Sequence, residues 1–362
     1  MELYFSKIIE NYEYFLFIVF VISFNANYYL SNKIRFISKK KRLFSEVSDR
    51  SSHSEEIPNL GGATIFVVVM IIILLVIGSG FSNPLSFNLA GAFILFLTGL
   101  KDDLIGTKPQ TKLFLQFLGA LIFVLNPEFV LGNLGGFFWV NEIDPNWTYL
   151  IGILFIVFFV NAFNLSDGID GLAGLIAIFC SVTFGIIFYS KGLLTYTILS
   201  CSIFGSVSSF LLFNFESKQK KLFMGDTGSL VIGFLLATMA LRIIEVQPIK
   251  PGVAYFPSNP TMFILLMFFY PILDTSRVFV KRLINKKPFW KPDRGHIHHL
   301  LIDLGIPHWL ASISIIILNI FLVFGFFKIN ELGNLVLHLY LFCAVITFIA
   351  IVNKIELIVS RK

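Results

Sequence analysis

Oxygen-bearing and basic side chains gather in four short stretches of a chain that is otherwise strongly apolar. "KDDLIG" carries the adjacent Asp102 and Asp103, with Lys112 shortly after; "NAFNLSDGIDGLAGL" carries Asn161, Asn164, Asp167, Gly168 and Asp170. "FMGDTGSL" holds Phe223 and Asp226, and "PDRGHIHHL" holds Arg294, His296, His298 and His299. Carboxylates and side-chain amides are hard oxygen donors, the type magnesium takes while it keeps waters and draws other ligands from substrate phosphates. Lysines, arginines and histidines can neutralise a pyrophosphate. The helix start at Gly225–Ser229 offers backbone N–H groups to an anion. Zinc fits less well, because the histidines crowd one loop without a matching ligand set. These residue types describe a magnesium-assisted reaction on a phosphorylated substrate.

Each stretch alone has a plainer reading. A "DD" after a helix is commonly a solvated loop pair, "GDTGS" can cap a helix, "SDGIDG" can be a turn, and clustered histidines can be a polar loop. Their shared location argues against all four at once, and that location follows from the elements that must carry them.

The 362 residues are 56% hydrophobic and 14% charged, with 43 Phe. A mean hydropathy of +0.82 identifies an integral membrane protein. Runs long enough to cross roughly 30 Å of hydrocarbon fall at 13–31, 61–80, 82–100, 113–132, 147–163, 171–190, 193–213, 228–244, 261–280, 309–327 and 333–352. The expected fold is all-α and polytopic, with eleven transmembrane helices in a single membrane domain over residues 1–362. The first span is too long for a signal peptide and lacks a cleavage site after it.

Lysine and arginine orient the spans. Lys33, Arg35, Lys39, Lys40, Lys41, Arg42 and Arg50 precede the second span, and the segments at 101–112, 214–227, 281–308 and 354–362 are also basic. The alternate ends and loops hold only Lys7, Lys191, Arg242, Lys250 and Lys328. The N-terminus is therefore expected outside and the C-terminus in the cytoplasm, and all four polar stretches lie on the cytoplasmic side. Solvated loops would scatter such residues on both faces. The external loops hold only scattered charges such as Glu142, Asp144 and Glu245.

The net charge of +6 suits anionic headgroups or phosphorylated substrates on that face. No loop has a basic surface large enough for nucleic acid. Cys180, Cys201 and Cys343 fall in spans and read as packing residues, with neither a disulfide nor a cysteine metal site expected. Asp274 and Arg277 share a face of the ninth span, either as a buried pair that fixes packing or as support for the site. A transporter would also carry intramembrane carboxylates, but near the midplane between repeated halves. Here they gather at one edge, where a water-soluble reactant can meet a lipid.

Five ordered motifs, "RSSHSEEIPNLGG", "KDDLIG", "NAFNLSDGIDGLAGL", "FMGDTGSL" and "PDRGHIHHL", resemble those of the polyprenyl-phosphate N-acetylhexosamine-1-phosphate transferases, over nearly the whole chain. The "RGHIHH" ending resembles the branch that uses UDP-N-acetylglucosamine. The phospho-N-acetylmuramoyl-pentapeptide transferases, the alternative within the family, typically show a Pro-x-His-His-His-like loop that this chain lacks. The resemblance implies transfer of a hexosamine-1-phosphate, GlcNAc-1-phosphate first among them, from a UDP-sugar to a polyprenyl phosphate such as undecaprenyl phosphate, with release of UMP. It implies a multi-pass protein of a bacterial inner membrane, an active site facing the cytoplasm, a homodimer, and a product that starts a cell-wall or lipopolysaccharide glycan. Magnesium is the implied cofactor, with manganese able to replace it.

The resemblance also assigns residues. Asp226 matches the metal-binding Asp and Asn164 an Asn that shares the metal. Asp102 and Asp103 match paired carboxylates near the lipid phosphate, counted with Asp226 as catalytic, and Lys112 matches a lysine near the phosphates. Phe223 matches an aromatic beside the uracil, with Asp167, Gly168 and Asp170 nearby. Arg294, His296 and His298 match the loop at the sugar-phosphate end, and Arg50 and His53 match the first cytoplasmic loop. Asn161 and His299 complete the substrate-binding candidates. Asn214 departs from the family spacing, which leaves its role at the nucleotide unsupported. Asp102 is expected to have its pKa raised by the adjacent Asp103.

Overall fold

In hydrocarbon every backbone polar group must find its partner within the protein, and a helix achieves this within one segment. The computed structural model describes residues 12–41, 43, 57–79, 85–137, 139–140, 142–216, 220–246, 257–286 and 295–361. Among these, one isolated bridge between Phe137 and Val140 accompanies thirteen helices. They are α1 Tyr12–Lys41, α2 Gly61–Gly78, α3 Ser86–Ile105, α4 Pro109–Val124, α5 Pro145–Ser166, α6 Leu172–Ser190 and α7 Leu194–Asn214, followed by α8 Gly225–Glu245, α9 Pro260–Met267, α10 Phe269–Ile284, α11 Ile297–Asp303, α12 His308–Ile329 and α13 Asn334–Val359. Eight of them (α1, α2, α5, α6, α7, α8, α12 and α13) are individually long and apolar enough to cross a membrane, and the bent pair α9–α10 makes a ninth. Every expected span falls on a helix. However, α3 carries Lys101, Asp102 and Asp103 near its end, and α4 is only 16 residues long.

Helix starts follow local chemistry. Pro145 opens α5 behind Asp144, whose carboxylate accepts the Asn146 N–H at 2.9 Å. Pro260 opens α9 behind Asn259, which accepts the Met262 N–H at 3.0 Å. Proline tolerates the first turn because its missing N–H would have no helical partner there.

Two spans differ from expectation. The run at 113–132 stops being helical after Val124, just before Pro127; the residue before a proline is driven out of the helical region. The run at 261–280 breaks at Phe268 with a 75° bend. Pro271 cannot donate to the carbonyl four residues back, and that carbonyl, on Met267, accepts Asn319 Nδ2 at 3.2 Å instead.

The centre of the bundle is α8, buried along almost its whole length and packed against α2, α3, α5, α6 and α9. Close approach comes from small residues: a Cβ on Gly62 would lie 2.0 Å from Gly228 Cα, and one on Gly99 2.4 Å from Thr227 Cα. The opposite end of α8 carries Glu245. It is buried against Arg242 at 2.9 Å. The packing of α8 brings its N-terminus to the charged end of α3 and the end of α5.

Candidate active site

The N-terminus of α8 is capped from another helix. Asp103, in the last turn of α3, accepts the Asp226 N–H at Oδ1 (2.9 Å) and, at Oδ2, the Thr227 N–H (2.9 Å) and hydroxyl (2.5 Å). Asn59 Nδ2 adds a fourth donor at 3.2 Å. Two of the N–H groups that the sequence offers to an anion at Gly225–Ser229 are therefore already used, which corrects that expectation. The cap is a carboxylate 123 residues away, satisfying orphan donors and opposing the positive end of the helix dipole.

This arrangement requires Gly225. Its φ is +71°, and a Cβ there would lie 2.1 Å from the Asn59 carbonyl and 2.6 Å from Asp103 Oδ2. Gly225→Ala is expected to destabilise the protein by about 2 kcal/mol or more, since the left-handed conformation alone costs a side chain roughly 1–2 kcal/mol. Thermal unfolding in detergent measures it.

Asp226 faces the other way. Its Oδ1 accepts Asn164 Nδ2 at 2.5 Å, and Asn164 Nδ2 also reaches Ser229 Oγ at 2.7 Å. Its Oδ2 pairs with Lys112 Nζ at 2.8 Å, and the same ammonium lies 3.4 Å from Asp102 Oδ2. One cation thus stands between two carboxylates from α3 and α8. Asp102 lies beyond the apolar segment, which ends at Leu100. Its carboxyl is held above the ordinary range first by burial and then by Asp226, while Lys112 pulls it down. The carboxylate acting on Asp102 is Asp226 rather than Asp103, because neighbours on a helix point about 100° apart.

Asp167 follows the end of α5. Its carboxyl is pushed well above the usual range by burial, and then by Asp226, Asp103 and Asp170. Asp170 is engaged elsewhere, with Oδ2 at 2.5 Å from Lys221 Nζ and 3.0 Å from His308 Nδ1. Lys221 Nζ also lies 5.6 Å from the centre of the Phe223 ring. The Phe223 backbone pairs with the segment before α2: its N–H donates to Pro58 O at 2.8 Å, and its carbonyl accepts from Gly61 N–H at 3.0 Å. Asn214 ties these parts together, accepting the Gly171 N–H at 2.6 Å and donating to Leu222 O at 3.1 Å.

The histidine turn packs onto the same loop. A Cβ on Gly168 would come within 2.2 Å of His298 Nε2. His298 Nδ1 is 2.6 Å from the Tyr270 hydroxyl, and His296 Nδ1 is 2.9 Å from Asp274 Oδ2. The His299 ring lies against His298, with ring centres 4.2 Å apart and planes inclined by 54°. Burial, then His299, holds the His298 imidazole well below its ordinary pKa.

The structure therefore brings together Asp102, Asp103, Lys112, Asn164, Asp167, Gly168, Asp170, Phe223, Asp226, His296, His298 and His299. Asn161 stands apart, one turn deeper in α5, exchanging amide hydrogen bonds with Gln116 at 2.6 and 3.3 Å. Arg50, His53 and Arg294 lie outside the described residues. The sequence reading did not single out Asn59, Lys221, Thr227 or Ser229. Asn59, Thr227 and Ser229 lie within the quoted motifs, but only tertiary contacts reveal their partners.

The model of glycosyl transferase family 4 matches residues 85–244, the part of the chain that contains Asp102, Asp103, Asp167, Asp170 and Asp226. The chain is 28% identical over 352 residues to the probable undecaprenyl-phosphate N-acetylglucosaminyl 1-phosphate transferase of Bacillus subtilis (strain 168), covering 95% of this chain and 93% of that protein. It is 26% identical over 287 residues to the undecaprenyl-phosphate alpha-N-acetylglucosaminyl 1-phosphate transferase of Escherichia coli (strain K12), covering 78% and 75%. It is 32% identical over 270 residues to the phospho-N-acetylmuramoyl-pentapeptide-transferase of Streptococcus agalactiae serotype Ia, covering 68% and 75%. With its cross-helix carboxylate cluster inside the matched region, the chain belongs to glycosyl transferase family 4, the polyprenyl-phosphate N-acetylhexosamine-1-phosphate transferases, and is a membrane-embedded transferase.

Proposed function

We propose that the protein transfers N-acetylglucosamine-1-phosphate from UDP-N-acetylglucosamine to undecaprenyl phosphate at the cytoplasmic edge of a bacterial inner membrane. The chain would act as one membrane domain of eleven spans, with its N-terminus outside. The observation that carries the reading is Lys112 held between Asp102 and Asp226 beside Asn164, where helix ends meet and a lipid phosphate and a soluble nucleotide could both reach.

The donor set fits magnesium. Asp226 offers a carboxylate, the adjoining Asn164 amide can turn its oxygen inward, and Ser229 adds a hydroxyl, leaving the remaining positions to waters and phosphates. Lys112 already holds positive charge against the same carboxylate. Magnesium bound by Asp226 and Asn164 would supply charge neutralisation for the pyrophosphate.

In the reaction an oxygen of the lipid phosphate attacks the β-phosphorus of the UDP-sugar, and the bond to the bridging oxygen breaks to release UMP. A phosphate monoester has its second pKa near 6, so the acceptor is largely a dianion at neutral pH and needs no strong base. Asp102, with 16% of its side chain exposed and Lys112 at its edge, would take any remaining proton or orient the acceptor. Asp103 has both oxygens occupied by Asn59, Asp226 and Thr227, so it would act by positioning Asp226. Lys112 would follow the charge onto phosphate oxygens, and Phe223 would carry the uracil. The site would thus stabilise charge that develops as the pyrophosphate opens.

The 32% identity to a phospho-N-acetylmuramoyl-pentapeptide-transferase supports the second reading, a muramoyl-pentapeptide donor. UMP release from purified protein with undecaprenyl phosphate, magnesium and a panel of UDP-sugars separates the two. The expected result is release that requires both lipid and metal and is fastest with UDP-N-acetylglucosamine. Faster release with the UDP-muramoyl-pentapeptide would reassign the donor. No release from any donor by well-folded protein would overturn the proposal.

A further inference from the structure

Asp274 and Arg277 have no task in the reaction described above. They stand one turn apart on α10, and Asp274 is 2% exposed. A pair that only fixed packing would neutralise itself and bond to its own helix or to a neighbour. Beyond the Tyr270 hydroxyl on the same helix, which lies 3.4 Å from Asp274 Oδ2, its bonds run to three successive residues entering α11. Asp274 Oδ1 accepts Arg277 Nη2 at 3.0 Å and the Ile297 N–H at 3.1 Å, while Oδ2 accepts His296 Nδ1 at 2.9 Å. Arg277 Nη2 also donates to the Gly295 carbonyl, and Nη1 reaches Glu356 Oε1 on α13 at 2.6 Å. Lys281 Nζ lies 3.0 Å from the same carboxylate. The turn is thus tied through Arg277 to the last helix.

His296 and His298 are each held at Nδ1, and Nε2 of His298 packs against Gly168. His296 and His298 are 3% and 1% exposed, and their rings are stacked with centres 5.6 Å apart. Their Nδ1 atoms meet Asp274 and Tyr270, but neither Nε2 has a hydrogen-bond partner among the described residues. Leaving a buried polar group unsatisfied costs about 1–3 kcal/mol, which is understandable where a ligand completes the bond. A carboxylate on Nδ1 fixes the tautomer and orientation of an imidazole. In the imidazolium form both ring nitrogens carry protons, and Nε2–H can donate to a phosphate oxygen.

We infer that Asp274 and Arg277 are positioning residues for the histidine turn, with Asp274 holding His296 so that Nε2 is presented to the phosphates of the donor. The assignment rests on the transferase reading for what His296 touches, but not for how His296 is held. Asp274 acts through His296, and Arg277 acts through Asp274 and the Gly295 carbonyl.

The test uses the full-length protein in detergent with ¹⁵N-labelled histidine, the His296 ring being assigned by its loss in His296→Gln. In the unsubstituted protein its Nδ1 is expected to be protonated and hydrogen-bonded. In Asp274→Asn the ring should move to the mixed tautomers of free imidazole, and the KM for UDP-N-acetylglucosamine should rise about tenfold to a hundredfold, as when an orienting partner of a histidine is lost. Introduced into His296→Gln, Asp274→Asn should cost nothing further, since two residues acting through one contact are not additive. Arg277→Lys keeps the charge but cannot serve Asp274, Gly295 and Glu356 together, and should raise KM severalfold. It carries the same test if Asp274→Asn does not fold. Unchanged tautomer and KM in Asp274→Asn, or losses that multiply with those of His296→Gln, would overturn the inference. If the unsubstituted protein releases no UMP from any donor, the functional reading fails while the tautomer measurement still decides how His296 is held.

Discussion

Asp226→Ala is expected to lower UMP release by about three orders of magnitude or more, equivalent to roughly 4 kcal/mol of transition-state stabilisation, with little change in unfolding temperature. The Asp226 carboxylate accepts a hydrogen bond from Asn164 at 2.5 Å and pairs with Lys112 at 2.8 Å. Its removal deletes the proposed metal ligand and leaves Lys112 with Asp102 alone. The fold should survive because the contribution of Asp226 to the cap of α8 is its backbone N–H, which alanine retains. Asp226→Asn keeps the shape but loses the charge. It should retain more activity than the alanine variant and require more magnesium for half-maximal rate. Near-normal turnover of Asp226→Ala in purified protein would remove Asp226 from the mechanism.

The second large effect separates two residues that are adjacent in sequence. Asp103→Ala is expected to lose activity by about a hundredfold or more, the scale on which a misplacement of roughly 1 Å acts, and also to lose stability. The three donors of Asp226 and Thr227, and that of Asn59, would be left in a buried site. Hydrogen bonds to a charged group contribute about 1.5–3 kcal/mol and a lost cap up to about 2 kcal/mol. Because these are not additive, a net loss of about 3 kcal/mol is expected. Asp102→Ala removes the contact with Lys112 and the interaction with the Asp226 carboxylate, but no backbone cap, and should cost activity without a comparable loss of stability. Thermal unfolding and UMP release, measured on the same preparations, distinguish the cases. An Asp103→Ala protein that unfolds at the unsubstituted temperature would refute the capping role.

Composition and periodicity made much of this legible. Runs of Leu, Ile, Val and Phe long enough to cross hydrocarbon can satisfy their backbone only as helices, and every expected span carries one. Carboxylates at the edges of such spans are costly enough to signal a task. Five motifs in order pointed to the family before any geometry was known. The proline breaks at Pro127 and Pro271 were also present in the sequence, but a long apolar run masks them in any windowed reading.

Tertiary structure alone decided how the carboxylates divide their work. Asp102 and Asp103 are indistinguishable as a "DD" pair, yet a rotation of about 100° between successive helical residues turns one toward Lys112 and Asp226 and the other under the first turn of α8. Asn161 and Asn164 are close in sequence, and the same rotation sends Asn161 to Gln116 and Asn164 to Asp226. The roles of Asn59, Asn214 and Asp274 depend on partners brought together from distant segments by helix packing. The sequence by itself determined that a membrane protein would gather oxygen ligands and basic groups at one edge. Which side chain faces the substrate and which supports it depends on the packing of helix ends, because a hydrogen bond acts only over about 3 Å and no local pattern specifies which ends meet.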